Sequence, residues 1–285
     1  MTLKFFRWPA ALLGFALTFS LGAGVGRAQY GGGGGRAATP DQNQNQEKSK
    51  EPEKKEKINK AEEAAYKNVL AAQGGDPAMQ IQVGEEFISK FPMSRYAAGV
   101  YGMLTGSYYA TGNTDKMFET GDKALAADPD NVDVLALLAM AIPRRVKATT
   151  PDGAERLTKA EGYAHHAIEL IPTMTKPATL DDATFEKTKN DKLSLAHSGL
   201  GLIDLNHQKY DDAKNEFTQA VQLSSSPDPV DYFLLGNADV QASYYHDAIA
   251  SYEKCAASGP LVAQCKARAE AAKKDLASGT KLSRD

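Results

Sequence analysis

Tryptophan occurs once in the chain, at Trp8, and cysteine twice, at Cys255 and Cys265. With no cysteine ahead of Cys255, a lipidated N-terminus is excluded, and without C-x-x-C spacing so is a thioredoxin-like redox pair. Positive charge is also scarce, since 33 lysines and arginines face 36 acids for a formal net charge of −3. That balance leaves no electrostatic footprint for nucleic acid or anionic lipid. The five histidines lack H-E-x-x-H spacing, and His165 and His166, being adjacent, point about 100° apart on a helix. No metal site is expected. No nucleophile elbow, phosphate loop or dinucleotide fingerprint is present, so no enzyme activity and no cofactor are expected.

The N-terminus has a different character. Lys4 and Arg7 open the chain, Ala10 to Leu21 is apolar, and Gly26-Arg27-Ala28 supplies small residues before Gln29. These features predict a secretory signal over residues 1–28, too short and too rich in small residues for a stable membrane span. Its removal takes away Lys4, Arg7 and Arg27 and no acid, moving the formal charge from −3 to −6. Residues 29–57 then combine a five-glycine run, Gly31 to Gly35, with a glutamine-asparagine stretch and alternating acids and lysines. So few apolar groups cannot offset the entropy of ordering, which predicts a flexible linker.

From residue 58 to 278 helical periodicity dominates and strand-like alternation is absent. Gly74-Gly75-Asp76-Pro77 ends one helix and opens another, and Thr179-Leu180-Asp181-Asp182 is a further start signal. Two inserts interrupt the array. One, at 144–156, is expected to protrude as a polar loop around Thr149 to Gly153, and the other spans 173–191. Residues 279–285 are expected to be a disordered tail.

Repetition is clearest toward the C-terminus. Gly201 recurs as Gly236, Ala213 as Ala248 and Phe217 as Tyr252, each 35 residues on. Such a period marks a solenoid whose units stack because none buries its apolar face alone. Unit boundaries are expected at Pro92, Pro129, Pro172, Pro227 and Pro260.

Tyr232-x2-Leu235-Gly236 followed by Ala248-x3-Tyr252 and Pro260 resembles the tetratricopeptide repeat. The preceding unit, with His197-x2-Leu200-Gly201, Ala213-x3-Phe217 and Ala220, is similar to it. Asp204 and Asp239 depart from the pattern, standing where tyrosine is usual. A weaker similarity, in Phe87 to Pro92, Ser94-Arg95-Tyr96 and Tyr108-Tyr109 with Gly112, is to helical-repeat proteins that assist bacterial outer-membrane assembly.

The resemblance implies an all-α, right-handed superhelical solenoid of about five antiparallel helix pairs with a C-terminal capping helix. Its repeat-packing positions fall on Leu200, Gly201, Ala213, Phe217, Ala220, Tyr232, Leu235, Gly236, Ala248 and Tyr252. It also implies a non-catalytic scaffold, periplasmic or secreted, that binds an unidentified protein segment along its inner face, or alternatively an envelope-assembly factor within a larger machine. Helical spacing from the packing positions selects Ser198 and Asn206 on one helix and Phe233, Asn237 and Gln241 on the next as that inner face, with Tyr109 as an earlier counterpart. Asn206, Asn237 and Gln241 could hydrogen-bond an extended backbone, and those faces offer no basic clamp for a terminal carboxylate. In an oxidising compartment Cys255 and Cys265 would pair by default and staple the last repeat to the terminal helix, the other reading being two packed thiols.

Overall fold

A computed structural model describes residues 59–279. The expected signal at 1–28, the linker at 29–57 and the tail from 280 onward lie outside the described residues. Among these, eleven α-helices follow one another without a strand. They form five consecutive pairs: α1 (Lys60–Ala72) with α2 (Pro77–Lys90), α3 (Ala97–Ala110) with α4 (Thr114–Ala127), α5 (Val132–Arg145) with α6 (Gly153–Leu170), α7 (Asp182–Asn206) with α8 (Tyr210–Leu223), and α9 (Pro229–Gln241) with α10 (Tyr245–Cys255). The last helix, α11 (Val262–Ser278), packs on α10. Four of the five boundary prolines fall in connections between pairs, and Pro260 lies between the last pair and α11.

Local chemistry explains where the helices start. Asn59, Asp76, Asn113, Asn131, Asp181 and Asp228 each precede a helix and accept a hydrogen bond from a first-turn amide, satisfying a donor with no intrahelical partner. Turns within pairs repeat one conformation. Gly112, Gln208 and Ser243 follow Thr105, Gly201 and Gly236 by seven residues, and all three take positive φ, at 75°, 61° and 69°. Glycine adopts that conformation without strain, whereas the two later units place side chains there.

The structure defines both inserts. In the first, an exposed turn at 147–152 lies where the polar loop was expected but is shorter than 144–156: the chain stays helical to Arg145, and the turn closes through Thr150 N–H to Lys147 C=O and Gly153 N–H to Thr150 C=O bonds, at 3.0 and 2.9 Å. Gly153 is buried, and a Cβ there would lie 2.0 Å from the Lys147 carbonyl oxygen. The remaining insert residues lengthen α6 to 18 residues. The second insert becomes loop, then the first turns of the 25-residue α7.

That long helix changes the middle of the stack. In α5 every residue from Val134 to Pro143 is buried, and α7 lies directly against it. A Cβ on Gly199 would sit 2.3 Å from the Ala139 carbonyl oxygen, so the two backbones touch. One continuous apolar core runs from Tyr66 in α1 to Ile203 in α7, and two smaller clusters fill the last units.

Candidate functional site

The small and aromatic repeat positions are packing groups. Ala213, Phe217, Ala220 and Ala248 are wholly buried, and Leu200, Gly201, Leu235, Gly236 and Tyr252 are buried with them. Gly236 leaves room for the Tyr252 ring, which a Cβ would meet at 2.7 Å, and Gly201 does the same for Phe217 at 3.0 Å. Tyr232 is only half-buried, with Lys254 Nζ over its ring at 5.5 Å.

The six inner-face residues do not share one environment. Asn206 and Gln241 are exposed at the ends of α7 and α9. Phe233 and Asn237 are half-buried and lean toward α10: the Phe233 ring lies 6.0 Å from that of Tyr252, whose hydroxyl donates to Asn237 Oδ1 at 2.8 Å. Val240 of α9 is half-buried against the same cluster as Phe233, and Leu202 and Leu205 of α7 are half-buried against the neighbouring cluster around Phe217 and Leu235. Tyr109, in α3, is half-buried with Arg145 over its ring at 5.3 Å and its hydroxyl 3.8 Å from Met140 Sδ.

Ser198 does not belong to that face. It is 1% exposed, donating to Asp231 Oδ1 at 2.7 Å and accepting from Arg144 Nη2 at 2.9 Å. Arg144 also reaches Asp228 Oδ2 at 2.8 Å and Asp231 Oδ1 at 2.5 Å. The cause is tertiary: the end of α5, the middle of α7 and the first turn of α9 converge there, and a buried guanidinium is held only when paired and hydrogen-bonded. Local spacing carried no sign of this cluster. The charge of Arg144 is matched by two aspartates.

A second buried pair joins Lys192 of α7 to Asp133 in the first turn of α5. Burial pushes the Lys192 ammonium down to about 8. The Lys192–Asp133 pair joins α7 to α5, and the Arg144 cluster joins α5 to α7 through Ser198 and to α9 through Asp228 and Asp231.

Cys255 and Cys265 form a disulfide, with both residues fully buried. It ties the end of α10 to the first turn of α11, whose other buried residues are only Ala269 and Ala272. Among the described residues no group of three or more His, Cys, Asp or Glu is disposed to hold a metal ion. Nor is any helix there long and apolar enough to cross a membrane.

Stacked antiparallel pairs, each contacting mainly its neighbours, define a helical-repeat solenoid. The 35-residue register, the glycine facing an aromatic ring within each of the last two pairs and the buried alanines make the repeat unit tetratricopeptide-like. No family model matches the chain, and no curated protein matches it. Among solved structures, that of a thermophilic TPR protein from Thermus thermophilus is similar at a TM-score of 0.46 and 17% identity, covering 74% of this chain and 98% of that one.

Proposed function

We propose that the protein is an exported, non-catalytic interaction scaffold that binds an extended polypeptide segment along α7 and α9. The observations that carry this reading are half-buried apolar groups on both helices, Leu202 and Leu205 on α7 and Phe233 and Val240 on α9, with the exposed amides of Asn206 and Gln241 at the ends of the same helices. Apolar positions of this kind provide contact area, and side-chain amides can pair with an extended main chain. Export is supported by the sequence of residues 1–28 and by the Cys255–Cys265 disulfide, a bond suited to an oxidising compartment.

Photo-crosslinking tests the site. A photoreactive residue at position 206 or 241 is expected to capture the same partner from envelope fractions, and Phe233→Ala to abolish both captures while leaving the helical circular dichroism intact. Different adducts at the two positions, or capture unaffected by Phe233→Ala, would remove these groups as the binding face. Export has its own readout: processed protein lacks Trp8 and should show no tryptophan emission.

A further inference from the structure

Negative charge is used up along the first helices of the last three pairs. Every carboxylate on α5, α7 and α9 has a lysine or arginine of this chain at 3.7 Å or less. Among the described residues, the cations left without a carboxylate on those helices and on α11 are Arg145, Lys266, Arg268 and Lys274, against one unpaired acid, Asp275. A chain of negative formal charge thus leaves positive charge on these helices.

Arg268 is connected to the Phe233 and Asn237 side of α9 through Tyr252. The Cys255–Cys265 bond pins α10 to α11, and one turn away from it stand Tyr252, three residues before Cys255, and Arg268, three after Cys265. Burial pushes the Tyr252 hydroxyl up to about 12, and the Arg268 guanidinium pulls it back. The phenol keeps its proton and donates it to Asn237 Oδ1 at 2.8 Å. That bond fixes which end of the Asn237 amide meets the phenol, and the other end, its NH2, has no hydrogen bond among the described residues. Phe233, one turn before Asn237, adds a half-buried ring 6.0 Å from that of Tyr252. An exposed guanidinium, an unengaged amide NH2 and an apolar ring therefore gather around one tyrosine, and both free polar groups are donors.

Resting on the α7–α9 binding face proposed above, we infer that its partner is an acidic segment, which sets a glutamate or aspartate side chain on Arg268 and Asn237 and an apolar neighbour on Phe233. A carboxylate only accepts, so it satisfies both donors at once, and its bond to the guanidinium is charge-assisted. A lysine in its place would meet two donors and a like charge. The terminal helix is then part of the recognition surface as well as a cap, and the disulfide holds the anchoring arginine beside α10.

The test is fluorescence anisotropy of the purified protein with a labelled peptide alternating leucine and glutamate, both ends blocked, beside the same peptide with glutamine for glutamate. The glutamate peptide should bind at least tenfold more tightly, and the preference should shrink as salt is raised. Arg268→Gln should erase the preference while leaving the glutamine peptide as before. Asn237→Asp, which keeps an acceptor for Tyr252 and removes the donors, should do the same. Lys274→Gln, an equal loss of charge elsewhere on α11, should change neither peptide. Glutamate binding within twofold of glutamine binding, or equal losses from Arg268→Gln and Lys274→Gln, would overturn the inference. So would a glutamine peptide that matches the glutamate one once its C-terminus is freed, since the anchor would then serve chain ends. The α7–α9 face is read separately: Phe233→Ala should weaken both peptides alike, and wild-type binding of both would remove that face while the Arg268→Gln comparison still decides the charge.

Discussion

Arg144 Nη2 lies 2.5 Å from Asp231 Oδ1, joining the last turn of α5 to the first turn of α9 across the whole intervening unit. Ser198 of α7 bonds to both partners, so three successive units share one hydrogen-bonded charge cluster. In a solenoid most contacts are between neighbours, and a link that skips a unit couples repeats that would otherwise melt separately.

Breaking that link should therefore cost both stability and cooperativity. Arg144→Met leaves Asp231 buried and unpaired and is expected to lower unfolding free energy by about 3–5 kcal/mol. Replacing both partners, as in Arg144→Met with Asp231→Leu, should recover most of the loss. Urea titrations read the difference. A loss below about 1 kcal/mol for Arg144→Met would show that the cluster is not holding the units together.

Backbone contact between α5 and α7 gives a second, graded expectation. A methyl on Gly199 meets the Ala139 carbonyl oxygen, part of a helix that cannot turn aside, whereas one on Gly201 meets only the Phe217 ring at 3.0 Å. Gly199→Ala should consequently destabilise by more than about 2 kcal/mol, in the range for overpacked cores, and Gly201→Ala by less. Thermal unfolding of the two variants ranks them, and the reverse order would mean that α7 does not lie on α5 as described.

These examples also mark what the sequence could reveal. The repeat in α7 to α10 was readable because each unit needs a glycine under an aromatic ring and alanines at the helix contact, and these recur at fixed spacing. The start of α7 was readable because Asp181 caps its own helix three residues on. Ser198 was misplaced because its burial depends on Arg144, 54 residues away, and on Asp231, which no helical period connects to it. Lys192 and Asp133 escaped notice for the same reason. The expected loop at 144–156 was too long because polar composition does not distinguish an extended loop from a tight turn feeding a longer helix. Asp239 was visible as a departure from the repeat, but its partner, Lys214, acquires meaning only once α8 is set against α9.

The turns within the last two pairs contain a removable strain. Gln208 and Ser243 occupy the left-handed conformation that Gly112 takes in the second pair. Gln208→Gly and Ser243→Gly should each stabilise by roughly 1 kcal/mol, because a Cβ is disfavoured there by about that amount. Chemical denaturation of the single variants provides the check, and a loss of stability in both would contradict the shared turn geometry.

Reduction should act first on the C-terminal cap. The disulfide closes a loop with a sequence separation of 10, and α11 otherwise rests on small buried side chains. Cys255→Ser with Cys265→Ser should lower stability by about 2–3 kcal/mol, as expected from loop closure. Amide exchange should accelerate in α11 before any other helix. Uniform acceleration along the chain would indicate that the bond supports the whole stack and not the cap alone.

The buried carboxyl of Asp239 makes stability depend on pH in a direction opposite to that of an ordinary ion-paired aspartate. It is 1% exposed, and burial pushes it up to about 7, with the Lys214 ammonium pulling it down and Asp247 pushing it further up. An aspartate in the unfolded chain titrates near about 3.9. Between these values the folded protein holds a proton that the unfolded chain has released, so this carboxyl's contribution to stability is greatest below about pH 4 and falls as pH rises toward 7. Asp239→Asn keeps a neutral group of the same shape and removes that dependence. The variant should gain on the order of 2–4 kcal/mol over wild type at about pH 8, since each tenfold change in proton affinity is worth about 1.36 kcal/mol, and little at about pH 4. Unfolding free energies of both proteins at the two pH values decide the matter. A constant difference between them would show that the Lys214 ammonium keeps Asp239 ionised throughout, so that the two form a stabilising ion pair at every pH.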